Sequence, residues 1–137
     1  PYLDNIDDAF YGLTQIPLGD SWVGFLNVLH MTEDTMSVEL VYSRDGENFQ
    51  RVQPGQAWLA PGPKGSWDQY MVNVFGAPVR VGDNLFVFYG GSSNHHDWWI
   101  EGRREHLDVP KTDDLNQVSY SLGLIRMKVG RFVSLTA

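Results

Sequence analysis

Sixteen residues, Gly90–Glu105 (GGSSNHHDWWIEGRRE), hold two adjacent His, two adjacent Trp, two adjacent Arg and three carboxylates. They follow a strongly apolar run and have neither helical nor alternating periodicity, so they read as a binding loop rather than a core element. The indoles of Trp98 and Trp99 suit the apolar face of a pyranose, as does Trp67. His95, His96, Asp97, Glu101, Arg103 and Arg104 supply hydrogen-bonding groups for sugar hydroxyls. Consecutive side chains of an extended segment point opposite ways, so one indole can anchor the loop while the other faces a ligand. Cleaving a glycosidic bond needs two carboxyl groups flanking it, about 5–9.5 Å apart. Asp8 and Asp68, each entering the first strand of a repeat, are the candidate catalytic pair.

Other chemistries fit less well. His95, His96 and Asp97 are ligand-type side chains, but adjacent residues rarely converge on one ion and no second cluster at a diagnostic spacing completes the set. No metal and no cofactor is therefore expected. Ser92 and Ser93 stand near His95 without a G-x-S-x-G elbow, which argues against a serine nucleophile.

The rest of the chain must position that loop. Its 137 residues are 42% hydrophobic and 13% aromatic, enough for one ordered core, and contain no cysteine for disulfides or thiolate metal sites. The formal charge of −7 is uneven: residues 1–43 carry seven acids and no Lys or Arg, and the remainder carries ten of each sign. An acidic surface repels phosphate backbones, so nucleic acid is excluded as a partner. No apolar run reaches the roughly 20 residues of a membrane span, and the first residues lack the pattern of a signal peptide. No compartment is assigned. A chain starting at Pro1, without Met, is expected to be a piece of something longer.

Short runs rich in Val, Phe, Tyr, Trp and Leu recur between turn signals and predict eight strands: Ala9–Pro17, Trp22–His30, Ser37–Ser43, Asn48–Gln53, Tyr70–Val81, Asn84–Gly90, Ser119–Lys128 and Arg131–Leu135. Gly19-Asp20, Asp45-Gly46 and Gly82-Asp83 supply tight turns. QIPLGDSWVGFL (Gln15–Leu26) lies over APVRVGDNLFVFY (Ala77–Tyr89) at an offset of 63, and Ser37–Val52 lies over Tyr120–Leu135 at 83 or 84. The difference measures an insertion of about twenty residues, the opening loop among them. A repeat of about 60 residues with four antiparallel strands signals a propeller blade.

The expected class is all-β, with blade one at 1–53 and blade two at 54–137, the latter interrupted at 91–118. Two blades cannot close a ring. They imply a partial propeller completed by further blades or other copies, or else a β-sandwich-like packing of the two sheets. Strand parity puts Pro1–Asp8, Met31–Met36, Pro54–Gln69 with Trp58, and the insertion at one end. The Ser43–Gly46 hairpin falls at the other.

YSRDGENFQRV, GSWDQYMVN, GAPVRVGDNLFVFYGG and YSLGLIRMKVGRFVSL resemble the blades of five-bladed propellers related to glycoside hydrolases of families 32, 43 and 130. The SRDG-x-x-F hairpin is similar to that of families 32 and 43, and GAPVRVGDNLFVFYGG to a late-blade strand pair of family 130. The resemblance implies a five-bladed ring with a central funnel whose acids come from inner strands of different blades, with Asp68 the best match and Asp8 the second. It implies carbohydrate as the ligand, and hydrolysis or phosphorolysis of glycosidic bonds where the propeller is complete. The alternative is a non-catalytic propeller that binds sugar or protein, or an oligomerising β-protein.

Overall fold

The computed structural model describes residues 5–97 and 120–132. Strands β1 (Asp8–Leu18) and β2 (Ser21–His30) form a long hairpin across Gly19-Asp20, where Gly19 has φ 60° and Leu18 pairs with Ser21. A glycine at the first central position of a two-residue loop is the II′ arrangement, whose twist matches that of the flanking strands. Residues 31–34 then lead into β3 (Thr35–Ser43), with Asp34 the one non-glycine among the described residues at positive φ, 53°. Across Asp45-Gly46, β3 pairs with the short β4 (Gln50–Arg51). That hairpin is held internally, because Asp45 accepts from Ser43 Oγ, the backbone N–H groups of Glu47 and Asn48, and the Asn48 amide. These bonds hold the Asp45 carboxyl far below the usual carboxylate range.

The predicted strand Tyr70–Val81 exists as two pieces, β5 (Met71–Asn73) and β6 (Val79–Val81), both antiparallel to β7 (Asn84–Ser92). The interruption contains Gly76 and Pro78, and proline has no N–H for a ladder. The β6–β7 turn repeats the first hairpin, with Gly82 at φ 58° and Val81 opposite Asn84. Strand β8 (Tyr120–Lys128) pairs along all of β7. Of the predicted strand Arg131–Leu135, Arg131 and Phe132 lie outside any strand and the remainder lies outside the described residues.

The fold is all-β, with no helix among the described residues, and the eight strands form one curled sheet. A single parallel bridge, Met36 to Met71, joins β3 to β5 and so connects a first unit (β1–β4) to a second (β5–β8). The core lies between them. Ile16, Val23, Phe25, Val38 and Leu40 of the first meet Val72, Val74, Leu85 and Val87 of the second. Burying one such side chain contributes about 1.5–3 kcal/mol.

Where no strand partner reaches Val74, a side chain replaces it. The buried Asn27 donates Nδ2–H to Val74 O at 3.1 Å and accepts Val74 N–H at 2.9 Å, so both backbone groups are satisfied. Trp58, expected at the loop-rich end, instead packs on Phe25 at 4.8 Å and donates its indole N–H to Phe132 O.

Candidate functional site

Asp8 opens β1 directly opposite His30, which closes β2. Their side chains therefore share one side of the sheet, and Asp8 Oδ1 lies 2.7 Å from His30 Nδ1. The other ring nitrogen, Nε2, is 2.9 Å from Ser37 Oγ on β3. With Asp8 ionised, Nδ1 carries the proton, and Nε2 accepts the Ser37 hydroxyl or donates to it once the ring is charged. The side chain of Asp8 and the whole of Ser37 are buried, and His30 is partly exposed.

The order Ser, His, Asp is that of a nucleophilic triad, but the surroundings are not. Ser37 lies within a strand, and the flanking Met36 and Val38 N–H groups donate to Tyr70 O and Leu59 O. Those amides are unavailable to an oxyanion. The cluster can hold and move a proton.

Beside it on β3, Glu39 is 1% exposed. Its carboxylate accepts Gly55 N–H at 3.0 Å and faces Arg51 Nη1 at 3.3 and 3.5 Å. Burial pushes its carboxyl above the ordinary range and the charge of Asp8 adds to this, while Gly55 N–H and His30 oppose it. The Arg51 guanidinium favours the ionised form, but it reaches Glu39 through one nitrogen and outside the shortest charge-assisted range, so burial decides the direction. Arg51 also lies 5.3 Å from the centre of the Phe10 ring.

A second cluster adjoins the first through residues 31–34. Asp7 binds that loop, its carbonyl and carboxylate accepting from Met31 N and Thr32 N. From the loop's far side, His96 N donates to Asp34 O and Asp97 N to Asp34 Oδ2 at 2.8 Å. His95 Nδ1 lies 3.1 Å from Glu33 O, and its ring stacks on Tyr70 at 3.8 Å. His96 bridges Asp97 Oδ1 at 2.8 Å through Nδ1 and the Tyr11 hydroxyl at 2.9 Å through Nε2. Burial, with Asp97 nearby, raises the Asp34 carboxyl above its ordinary value.

Asp34, His96 and Asp97 bring ligand-type atoms within 4.8 Å of one another. Sequence spacing missed this grouping because the third member comes from residues 31–34 rather than from the insertion. Both ring nitrogens of His96 are already bonded, so an ion there would have to displace Asp97 or Tyr11.

Asp68 belongs to a third network. It accepts from Ser66 Oγ at 2.8 Å and from the Tyr89 phenol at 3.3 Å, and Trp67 stacks on Tyr89 at 5.6 Å. Gly62 and Gly91 allow this packing, since a Cβ on either would strike Asp68, and on Gly91 also Trp67. The side-chain hydrogen bonds described above for Asp8 and for Asp68 share no residue. Trp98, Trp99, Glu101, Arg103 and Arg104 lie outside the described residues. Reasoning on sequence alone did not identify Tyr11, His30, Asp34, Ser37, Glu39, Arg51 or Tyr70. One signal was available: Glu39 interrupts the apolar run Val38–Tyr42, where an acid needs a partner.

No protein-family model and no curated protein matches the sequence. A similar solved structure is that of an N-acetylgalactosamine deacetylase from F. plautii in complex with blood group B trisaccharide, with a TM-score of 0.58 and 19% identity over 91% of this chain and 34% of that one. The chain thus spans about a third of that protein. The likeness is one of fold. No helix among the described residues is long and apolar enough to cross a membrane.

Proposed function

We propose that the end of the sheet bearing residues 5–8, 31–36 and 92–97 is a carbohydrate site, within a partial propeller of glycoside hydrolase type. The observation that carries this is the junction at residues 31–34 of a proton-holding Asp8–His30–Ser37 cluster with the ring-rich Tyr11–His96–Asp97 and Tyr70–His95 cluster. Sugars need flat rings, planar hydrogen-bonding groups and, for bond cleavage, a positioned acid or base. The similar solved structure acts on and binds carbohydrate, which supports the same ligand class here.

In this reading Asp8 holds the Nδ1 proton of His30, and His30 exchanges a proton with the substrate by way of the Ser37 hydroxyl bonded to its Nε2. Glu39, whose carboxyl burial raises, lies beside that pair on β3 and tunes it. His95, His96 and Asp97 engage hydroxyls, joined by Trp98, Trp99, Glu101, Arg103 and Arg104 of the insertion. Asp68 acts through Tyr89 and Ser66 to seat Trp67, a positioning role. A binding-only reading rests on one observation: Asp8, Ser37 and Glu39 are all withdrawn from solvent.

Calorimetry with galactose- and N-acetylgalactosamine-terminated oligosaccharides tests the proposal. Binding by the wild type, weakened at least about tenfold in His96→Ala and in Trp98→Ala (about 1.4 kcal/mol), is the expected result. An absence of binding across the panel overturns it. Binding with no turnover of any bound sugar leaves the binding-only reading.

A further inference from the structure

The two units use one pairing scheme, and its equivalent positions have opposite exposures. In the first unit Ile16 faces Val23, Phe25 faces Leu40 and Asn27 faces Val38. In the second, Val79 faces Phe86, Phe88 faces Leu124 and Gly90 faces Leu122. These are the same rungs, counted from matching Gly-Asp turns. Ile16, Phe25, Val38 and Leu40 are 9%, 0%, 0% and 7% exposed, because the second unit covers them. Val79, Phe88, Leu122 and Leu124 are 50%, 49%, 80% and 53% exposed. The second unit therefore carries the surface that the first has already buried, with nothing of the described residues seated on it.

What sits on the first copy of that surface says what belongs on the second. The occupant in the first unit is the opposite side of a β-hairpin sheet, represented by Leu85 and Val87 of β7. Sixty-three residues earlier, those positions are Trp22 and Gly24, on the outer side of β2. That side is capped by Leu13, which packs against Gly24, and it leaves Phe10 and Leu13 exposed.

We propose that a second copy of this chain docks head to tail, the outer side of its β1–β2 hairpin covering Val79, Phe88, Leu122 and Leu124. The open surface is apolar and broad, as an unfilled interface is. It contains a cleft of about 280 Å³ lined by Met71, Asn73, Phe75, Tyr120 and Leu122, among other residues. Asn73 Oδ1 beside it is a buried acceptor with no hydrogen-bond partner among the described residues. Charge favours the same polarity. Head-to-tail docking sets the acidic first third against a remainder whose ten acids are balanced by ten Lys and Arg, whereas self-docking of the first unit would set acid against acid. The contact is heterologous, so it propagates until it closes or runs on as a chain of copies.

Sedimentation and light scattering on the wild type, Phe88→Asp, Leu13→Asp and an equimolar mixture of the two variants test this. Each substitution falls at an exposed position, and circular dichroism confirms folding. The wild type is expected to form concentration-dependent species above the 15.5 kDa chain mass. Each variant alone is expected to stay monomeric. The mixture is expected to form a species of twice the chain mass, because Leu13→Asp retains an intact second-unit face and Phe88→Asp an intact first-unit face. A wild type that remains monomeric to about 1 mM, where a contact of roughly −4 kcal/mol would already register, overturns the proposal. So does a mixture that stays monomeric.

Discussion

On equivalent rungs, the first unit holds titratable groups where the second holds apolar or small ones. His30, which closes β2 opposite Asp8, becomes Ser93, just past the end of β7. Glu39, in the run SVELVY, becomes Gly123, and the Tyr89 ring occupies the space a side chain would need. Both hairpins turn at a Gly-Asp pair with the glycine at positive φ. Ionisable groups persist only where partners exist: the first unit supplies Arg51, Gly55 N–H and Ser37 for them, and the second supplies a stacked Trp67–Tyr89 pair. The proton-holding Asp8–His30–Ser37 cluster thus lies in the first unit and the open apolar surface in the second.

The sharpest way to break this comparison is at matched aromatics. Phe25→Ala removes a fully buried ring that contacts Trp58 and Phe132, and is expected to destabilise the chain by about 3–5 kcal/mol. Phe88→Ala, at the matching half-exposed position, is expected to alter the stability of the dilute monomer by less than about 1 kcal/mol. Urea denaturation at low concentration measures both. Equal losses would mean that Phe88 is covered within the monomer.

Much of the scaffold was legible because its signals are local. Gly19-Asp20 and Gly82-Asp83 needed no partner to announce a hairpin, and runs rich in Val, Phe, Tyr, Trp and Leu between turn signals placed β1, β2, β3 and β7. The split of Tyr70–Val81 into β5 and β6 was also written locally, in Gly76 and Pro78, but a continuous apolar pattern masked it. The Asp8–His30–Ser37 cluster was not legible. It depends on the register of three strands at once, and a one-residue slip would turn His30 to the core side. Trp58 misled for a related reason: its place in Pro54–Gln69 put it at the loop-rich end, and only the fold brings it onto Phe25.

A smaller effect is expected where side chain replaces strand. Asn27 supplies both partners of Val74, and the rung-equivalent residue of the second unit is Gly90, which supplies neither. Asn27→Ala leaves the Val74 N–H without its partner and its carbonyl with Thr14 Oγ alone. The expected loss is about 1–3 kcal/mol. Hydrogen exchange checks its location: the Val74 amide is expected to lose protection while β1–β2 amides of the first hairpin keep theirs. Uniform loss across the sheet would make Asn27 a general packing residue.

The smallest effect concerns Glu39 and is read as a slope. A carboxyl raised by burial titrates higher in the folded chain than at the roughly 4.3 of an unfolded glutamate, so between those values the native state binds more protons. Stability from this group is therefore greatest below about pH 4.3, falls as pH rises toward the folded value, and is flat above it. Asp34 is shifted in the same direction and contributes a similar decline starting near 3.9. Glu39→Gln removes one of the two contributions while keeping an acceptor for Gly55 N–H. Its melting temperature is expected to fall less steeply between pH 4 and 7 than that of the wild type, whatever the offset from losing the Arg51 ion pair. An unchanged slope would mean that Arg51 outweighs burial and that Glu39 is ionised throughout, which would remove it as a tuning group for His30.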